Sequence, residues 1–206
     1  MKSQHIAIAM TALACIALPV GAGSAAPPPE GAASKPASAQ VYDEKADAAK
    51  AIDAALAKAK RNHTRVLVQW GANWCGWCKM LHATFQTDKD IGKELRYEYE
   101  VVFVDVGRFD RNIELSAKFG ADLKKSGLPF LTVIDADGRP VANQETGSLE
   151  LPSGAQAKGH DVAKVMAFLK SNEAAKVKAA DVLAVGVAEA KRDGKLVFLH
   201  FGAPWC

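Results

Sequence analysis

The chain has 206 residues, of which 49% are hydrophobic and 24% are charged, and its formal net charge is +3. A chain of this length and composition holds one large or two small globular domains with an ordinary core. Its net charge is too small for a nucleic-acid-binding protein or for a polybasic membrane-surface protein, and we exclude both classes.

The first 25 residues have the pattern of a secretory signal peptide. A basic start at Met1-Lys2 precedes an apolar run from Ile6 to Val20, which small residues follow up to Ala25. The apolar run is too short to span a membrane comfortably, and the sequence has no second such run. We therefore predict cleavage after Ala25, a periplasmic or secreted protein and no transmembrane span. A retained anchor or a buried helix is the alternative.

Cys15 gives a second alternative at this end of the chain. The residues up to Cys15 fit a loose lipoprotein pattern, and a lipid there would tether the protein to a membrane. Against this, the apolar run continues past Cys15, as expected for the middle of a cleaved signal. Residues 26–40 are rich in Pro, Ala, Ser and Gly, and we predict a disordered linker.

The next segment predicts a helix and then a buried strand. Apolar residues recur at helical spacing between Tyr42 and Arg61, and Asp43 is the expected N-cap. The strand is predicted at Thr64–Trp70, where a continuous apolar run indicates burial on both faces.

Two cysteines stand where this strand gives way to the next helical pattern. Cys75 and Cys78 are separated by two residues, and the helical pattern continues to Leu95 with a break near Thr87-Asp88. The amino end of a helix favours negative charge and lowers the pKa of a thiol placed there. Since the thiolate is the attacking species in disulfide exchange, we predict Cys75 as the nucleophile and Cys78 as the resolving thiol.

A structural zinc site does not fit this cysteine pattern. Such sites use two cysteine pairs, or one pair with histidines at ligand spacing, and here the histidines after the single pair are scattered. We predict no metal.

Strands and helices alternate through the rest of the first domain. A hairpin turn at Asp137-Gly138 joins the last two strands, and Asp161 caps a last helix after them. This order predicts an α/β fold in which a central mixed sheet has helices on both faces. The intervening elements are predicted at Tyr99–Val106 (strand), Asp110–Phe119 (helix), Phe130–Ile134 (strand) and Arg139–Gln144 (strand), with an irregular loop over 147–159.

The last residues of the chain resemble the first helix and strand of the first domain, at a constant offset of 131 residues. Residues 197–206 match residues 66–75, and the helical stripe of Ile52 reappears around Leu183. We expect residues 173–206 to be the helix and strand that open an incomplete second repeat, in a tandem protein truncated there. The alternative is a true terminus packed on the first domain; in neither case do we expect Cys206 to be catalytic.

The segment Gly71–Lys79 resembles the signature of the thioredoxin superfamily, in particular exported bacterial thioredoxin-like proteins. A second mark of that family is Gly127-Leu128-Pro129 ahead of a strand, and the resemblance covers about residues 41–172. It implies a thioredoxin-like fold and a redox-active Cys75–Cys78 disulfide. It further implies that Pro129 is a cis-proline facing this disulfide and that Leu128 offers backbone groups to an extended substrate.

Three residues around the cysteines complete the expected site. Trp74 is expected to pack beside the disulfide and to wall the substrate groove, while Gly76 and Trp77 tune the redox poise. Trp70 is expected in the core.

One departure from the family concerns the proton of Cys78. Many thioredoxins carry a buried acid six residues before the first cysteine, and this chain has Gln69 there. Gln69 cannot accept the proton of Cys78, so a water or the leaving thiolate of the substrate is the expected acceptor.

These predictions lead to a thiol–disulfide oxidoreductase that acts on protein thiols and disulfides outside the cytoplasm. It needs no cofactor, only a redox partner that resets the cysteine pair. The rival hypothesis is a binding scaffold or metallochaperone that uses the same groove without turnover.

Overall fold

The computed structural model describes residues 40–202. The predicted signal peptide, Cys15, residues 26–39 of the predicted linker, and Cys206 lie outside the described residues.

A four-stranded mixed sheet forms the centre of the described fold. The strands are β1 (Arg65–Gly71), β2 (Tyr99–Asp105), β3 (Phe130–Ile134) and β4 (Pro140–Glu145). Their order is β2-β1-β3-β4; β1 pairs parallel with β2 and antiparallel with β3, which pairs antiparallel with β4. All residues of β1 except the first are buried, as its continuous apolar run predicts.

Seven α-helices are present among residues 40–202, and none of them is long and apolar enough to cross a membrane. A short 3-10 helix lies at Gly147–Leu149 within the loop predicted to be irregular. The helices are α1 (Ala48–Asn62), α2 (Gly76–Thr87), α3 (Lys89–Glu98), α4 (Ile113–Lys118), α5 (Leu123–Ser126), α6 (Val162–Ser171) and α7 (Ala179–Asp193).

The side chains of β1 alternate between two cores, one on each face of the sheet. Val66, Val68 and Trp70 pack with the buried residues of α1 on one face. Leu67 points the other way and packs with residues of α2, α3 and α6. The structure thus confirms the predicted α/β architecture, with helices on both faces of a mixed sheet.

Two predicted helix boundaries have different outcomes. The break near residue 88 is confirmed, because the Asp88 carboxylate caps α3 by accepting hydrogen bonds from the N–H groups of Asp90 and Ile91 at 3.1 and 2.9 Å. The predicted start of α1 at residue 42 with Asp43 as its cap is wrong. Asp47 caps α1, and its carboxylate accepts the N–H of Lys50 at 3.1 Å.

The late start of α1 has a tertiary cause. The backbone N–H groups of Val41 and Tyr42 donate to the side-chain oxygen of Asn73, each at 3.1 Å, and Tyr42 is fully buried. These contacts hold residues 41 and 42 against the turn that follows β1 instead of in a helix.

The C-terminal segment agrees with its prediction only in part. Helix α7 forms, but none of its residues is buried. Residues 195–202 are not in a strand, so the strand predicted there is not formed. A strand is held by hydrogen bonds to a neighbouring strand, and none lies beside this segment within residues 40–202.

Candidate active site

Cys75 lies at the junction of β1 and α2 and serves as the N-cap of that helix. Its backbone is extended, with φ −77° and ψ 109°, and its sulfur accepts the backbone N–H of Cys78 at 3.1 Å. The sulfur thus accepts the hydrogen bond that a side-chain oxygen usually accepts at the N-cap of a helix. A thiolate at this position would gain from the same N–H and from the partial positive charge of the helix end.

Cys78 is placed one turn inside α2 and is joined to Cys75 in a disulfide. The two Cα atoms are 5.3 Å apart. Cys78 is fully buried, whereas Cys75 is 5% exposed. An incoming disulfide therefore reaches Cys75 first, and Cys78 stands behind it within bonding distance.

The loop before β3 lies beside the cysteine pair. The Leu128–Pro129 peptide bond is cis, as the family resemblance implies. Leu128 packs against the cluster formed by Tyr42, Cys75 and Cys78. The hydroxyl of Thr146 donates to the carbonyl oxygen of Pro129 at 2.7 Å and ties this loop to the end of β4.

The two tryptophans beside the cysteines have different surroundings. Trp74 is 52% exposed, and its indole N–H donates to the carbonyl oxygen of Gly107 at 2.7 Å. The guanidinium of Arg108 lies 5.9 Å from the Trp74 ring centre. Trp77 instead packs inward, its ring edge-to-face with that of His160 at 5.6 Å. Trp74 is therefore on the surface next to Cys75, and Trp77 is partly covered.

Gly76 lies between these residues at the first turn of α2. A Cβ added there would meet nothing within 4 Å. The surface beside Cys75 is therefore open at this point. Trp70, by contrast, is fully buried, which confirms its prediction as a core residue.

His160 was not singled out by the sequence, yet it contacts a residue of the Cys-x-x-Cys segment. It is buried, and neither ring nitrogen has a hydrogen-bond partner. Burial lowers the pKa of His160, because a charged ring would lose hydration without gaining a partner. An isolated histidine in a loop carries no periodicity or spacing that would have identified it.

Behind Cys78 the structure has an amide and a phenol in place of a carboxylate. The side-chain N–H₂ of Gln69 donates to the Tyr42 hydroxyl at 2.6 Å and to the backbone carbonyl of Cys78 at 3.2 Å. The side-chain oxygen of Gln69 is buried without a partner. Sequence reasoning missed Tyr42, because its pattern was interpreted as part of the first helix.

A buried carboxylate does lie near this site, on the adjacent strand. Asp105 pairs with Gly71 in the register of β1 and β2, and Arg111 neutralises it at 3.0 Å. The same carboxylate accepts the N–H of Gly107 at 2.9 Å. Asp105 is therefore engaged by the loop after β2.

Residues 40–202 contain no group of three or more His, Cys, Asp or Glu side chains arranged to hold a metal ion.

Comparisons with known proteins agree with this fold. The model of the thioredoxin-like family matches residues 47–136. A disulphide isomerase from Xylella fastidiosa Temecula1 is 33% identical, with a TM-score of 0.54, over 64% of this chain and 95% of that one. The chain belongs to the thioredoxin-like proteins.

Two further matches are more limited. A thioredoxin H-type of Chlamydomonas reinhardtii is 46% identical over 41 residues, which are 20% of this chain and 36% of that relative. The match thus spans about a third of the length of this curated relative. The C-terminal domain of Neisseria meningitidis DsbD in its oxidised form is 19% identical, with a TM-score of 0.42, over 62% of this chain and 97% of that one.

Proposed function

We propose that this protein is a thiol–disulfide oxidoreductase that acts on protein disulfides and dithiols through Cys75 and Cys78. The observation that carries the proposal is the position of Cys75. Its sulfur caps α2, accepts the Cys78 N–H at 3.1 Å and is the more exposed of two bonded sulfurs. A helix end that favours a thiolate, backed by a second sulfur, is the arrangement that disulfide exchange requires.

The reaction has two steps. The Cys75 thiolate attacks one sulfur of a substrate disulfide; a Cys75–substrate bond forms, the substrate disulfide breaks, and the released sulfur takes a proton. The Cys78 thiolate then attacks Cys75, which forms the Cys75–Cys78 bond and frees the second substrate sulfur. The reverse order oxidises a substrate dithiol. A redox partner resets the pair, and no organic cofactor takes part.

The substrate groove is proposed to run past Cys75 between Trp74 and the Leu128-Pro129 loop. Trp74 is half-exposed on one side, and Leu128 contacts the cysteine cluster on the other. The backbone of Leu128 would pair with an extended segment of the substrate. The missing side chain of Gly76 leaves room for that segment, and Trp77 supports α2 from within.

Outside this site, two proposals rest on the sequence. The chain is exported by the signal peptide 1–25 and acts in the periplasm or after secretion, where disulfide traffic is expected. Residues 173–206 open a second thioredoxin-like repeat. An N-terminal sequence of the exported protein tests the first proposal, since cleavage after Ala25 would start it at Ala26 and lipidation would start it at Cys15.

The function is tested by insulin reduction in the presence of a dithiol. Cys75→Ser should lower the rate to that of the dithiol alone, because the attacking sulfur is gone. Cys78→Ser should accumulate a mixed disulfide with the substrate, since the resolving sulfur is gone. The matched control is Cys206→Ser, which should retain the wild-type rate. Equal rates in the wild type and both active-site variants would reject the enzyme in favour of a binding scaffold.

A further inference from the structure

Tyr42 is packed directly against the cysteine pair. It forms one buried cluster with Cys75 and Cys78, and its ring meets that of Phe103 edge-to-face at 6.1 Å. The side chain is fully buried. Its hydroxyl is the polar group that this cluster presents behind the disulfide.

The hydroxyl oxygen of Tyr42 and the sulfur of Cys78 border the same small space over Gly71. A Cβ added to Gly71 would lie 2.1 Å from the Tyr42 oxygen and 2.9 Å from the Cys78 sulfur. Both distances are too short for any side chain, so glycine is required here. Its bare Cα lets the phenol and the sulfur approach each other.

The hydrogen bond from Gln69 leaves the hydroxyl proton of Tyr42 available. Gln69 donates to the Tyr42 oxygen at 2.6 Å, so that oxygen already acts as an acceptor and its own O–H must point elsewhere. A thiolate at Cys78 would be the strongest acceptor in reach, because hydrogen bonds to ionised groups are stronger than those between neutral groups. Burial also raises the pKa of Tyr42, so the phenol keeps its proton at neutral pH and acts as a donor.

The charged groups near the phenol are engaged in ion pairs with one another. Asp105, from the end of β2, is paired with Arg111 at 3.0 Å, and Arg111 also lies 3.6 Å from the Glu44 carboxylate. His82, from α2, packs its ring edge-to-face with that of Phe103 at 5.0 Å, and its Nδ1 has no hydrogen-bond partner. The phenol therefore borders, with its own proton uncommitted, the space over Gly71 that the Cys78 sulfur also borders.

We propose that Tyr42 is a further catalytic residue, whose hydroxyl donates a hydrogen bond to the Cys78 thiolate while Gln69 positions it. This inference rests on the proposed function. The Cys78 thiol releases its proton to water, and Tyr42 keeps its own proton throughout. The electron pair of Cys78 then forms the bond to Cys75, the Cys75–substrate bond breaks, and the leaving substrate thiolate takes a proton from water.

The first test compares Tyr42→Phe with a matched control, Tyr99→Phe. Tyr99 is also a buried tyrosine, but its hydroxyl donates to the carbonyl oxygen of Leu169, away from the cysteines. The alkylation rate of Cys78 is followed against pH in chains where Cys78 is the sole cysteine. Tyr42→Phe should raise the pKa of Cys78 by about one unit, equal to about tenfold less thiolate at neutral pH. Tyr99→Phe should leave the pKa unchanged.

In chains that retain both active-site cysteines, the same variants separate a chemical role from a structural one. Tyr42→Phe should slow the resolution of the mixed disulfide, followed by stopped-flow mixing, about tenfold at neutral pH and should approach the wild-type rate at high pH. A folded Tyr42→Phe protein with the wild-type Cys78 pKa and resolution rate would overturn the proposal.

A second readout needs no variant. In the reduced wild-type protein labelled with ¹³C at the tyrosine Cζ, the Tyr42 signal should move at the pH where Cys78 ionises, and the Tyr99 signal should not. A Tyr42 signal that stays still through that pH would also overturn the proposal. Neither the thiol pKa nor this signal requires a substrate. Failure of the proposed function, measured by insulin reduction, is thus distinguishable from failure of the role given to Tyr42.

Discussion

Helices α1 and α7 have related sequences but opposite surroundings. Each is 15 residues long, and each ends at a left-handed residue whose N–H bonds back to an alanine carbonyl: His63 to Ala59, and Gly194 to Ala190. Yet α1 buries four residues, and α7 buries none. Local sequence is enough to form and end both helices, whereas burial depends on a sheet that only α1 has beside it.

The segments after the two helices show the same contrast more sharply. Trp70 in β1 is fully buried, while Phe201 at the matching position is 88% exposed. Strand β1 lies between β2 and β3, which supply its hydrogen bonds, and residues 195–202 are not in a strand. An apolar run thus becomes a strand only where partner strands are present.

The largest expected difference between α1 and α7 is in the hydrogen-exchange rates of their backbone amides. Amides in the middle of α1 should be protected about a hundredfold or more above those of α7, because α1 opens only when the core opens and α7 is held by local bonds alone. Exchange measured by mass spectrometry on peptides covering 48–62 and 179–193 checks this. Equal protection in both peptides would mean that α7 is covered in solution.

Truncation of the matched apolar residues should give a smaller difference. Ile52→Ala should lower the free energy of unfolding by about 2–5 kcal/mol, since it leaves a cavity between α1 and the sheet. Leu183→Ala, at the matching position on the unburied face of α7, should change it by no more than about 0.5 kcal/mol. Urea unfolding of both variants measures this, and a similar loss in both would contradict the comparison.

The smallest expected effect is on the pH dependence of unfolding, and it compares a histidine of the first domain with one of the C-terminal segment. Burial lowers the pKa of His160 below its ordinary value of about 6.5, so the unfolded chain binds the proton more tightly than the folded one. With respect to this residue, the free energy of unfolding is highest above about pH 6.5 and falls as the pH drops below that value. His160→Leu should flatten the fall in unfolding free energy between about pH 7 and pH 5.

His200→Leu is the matched control for this pH dependence. His200 is exposed in the C-terminal segment, so its replacement removes a histidine without removing a buried ring. His82, whose pKa is also lowered by burial, will keep part of the dependence in both variants. A His160→Leu protein with the full wild-type dependence would place the origin of that dependence outside His160.

The candidate site was predictable where its signals are local. The spacing of Cys75 and Cys78 after an apolar run predicted both the helix end and the sulfur pair, and the family resemblance supplied the cis-proline at Pro129. Tyr42 and His160 were missed. Each reaches the site from a distant part of the chain, and no pattern of neighbouring residues indicates such a contact.

The sequence by itself determined where helices and strands begin and end in the first domain, to within a few residues at most boundaries. It also determined that Cys75 occupies a helix start. These features depend on spacing, capping and turn residues, which act over a few positions. Tertiary structure alone decided that residues 41 and 42 leave the helix, that Tyr42 packs in one cluster with Cys75 and Cys78, and that α1 is buried while α7 is not. Burial is set by contacts between segments far apart in the chain, and so similar local patterns can end in different environments.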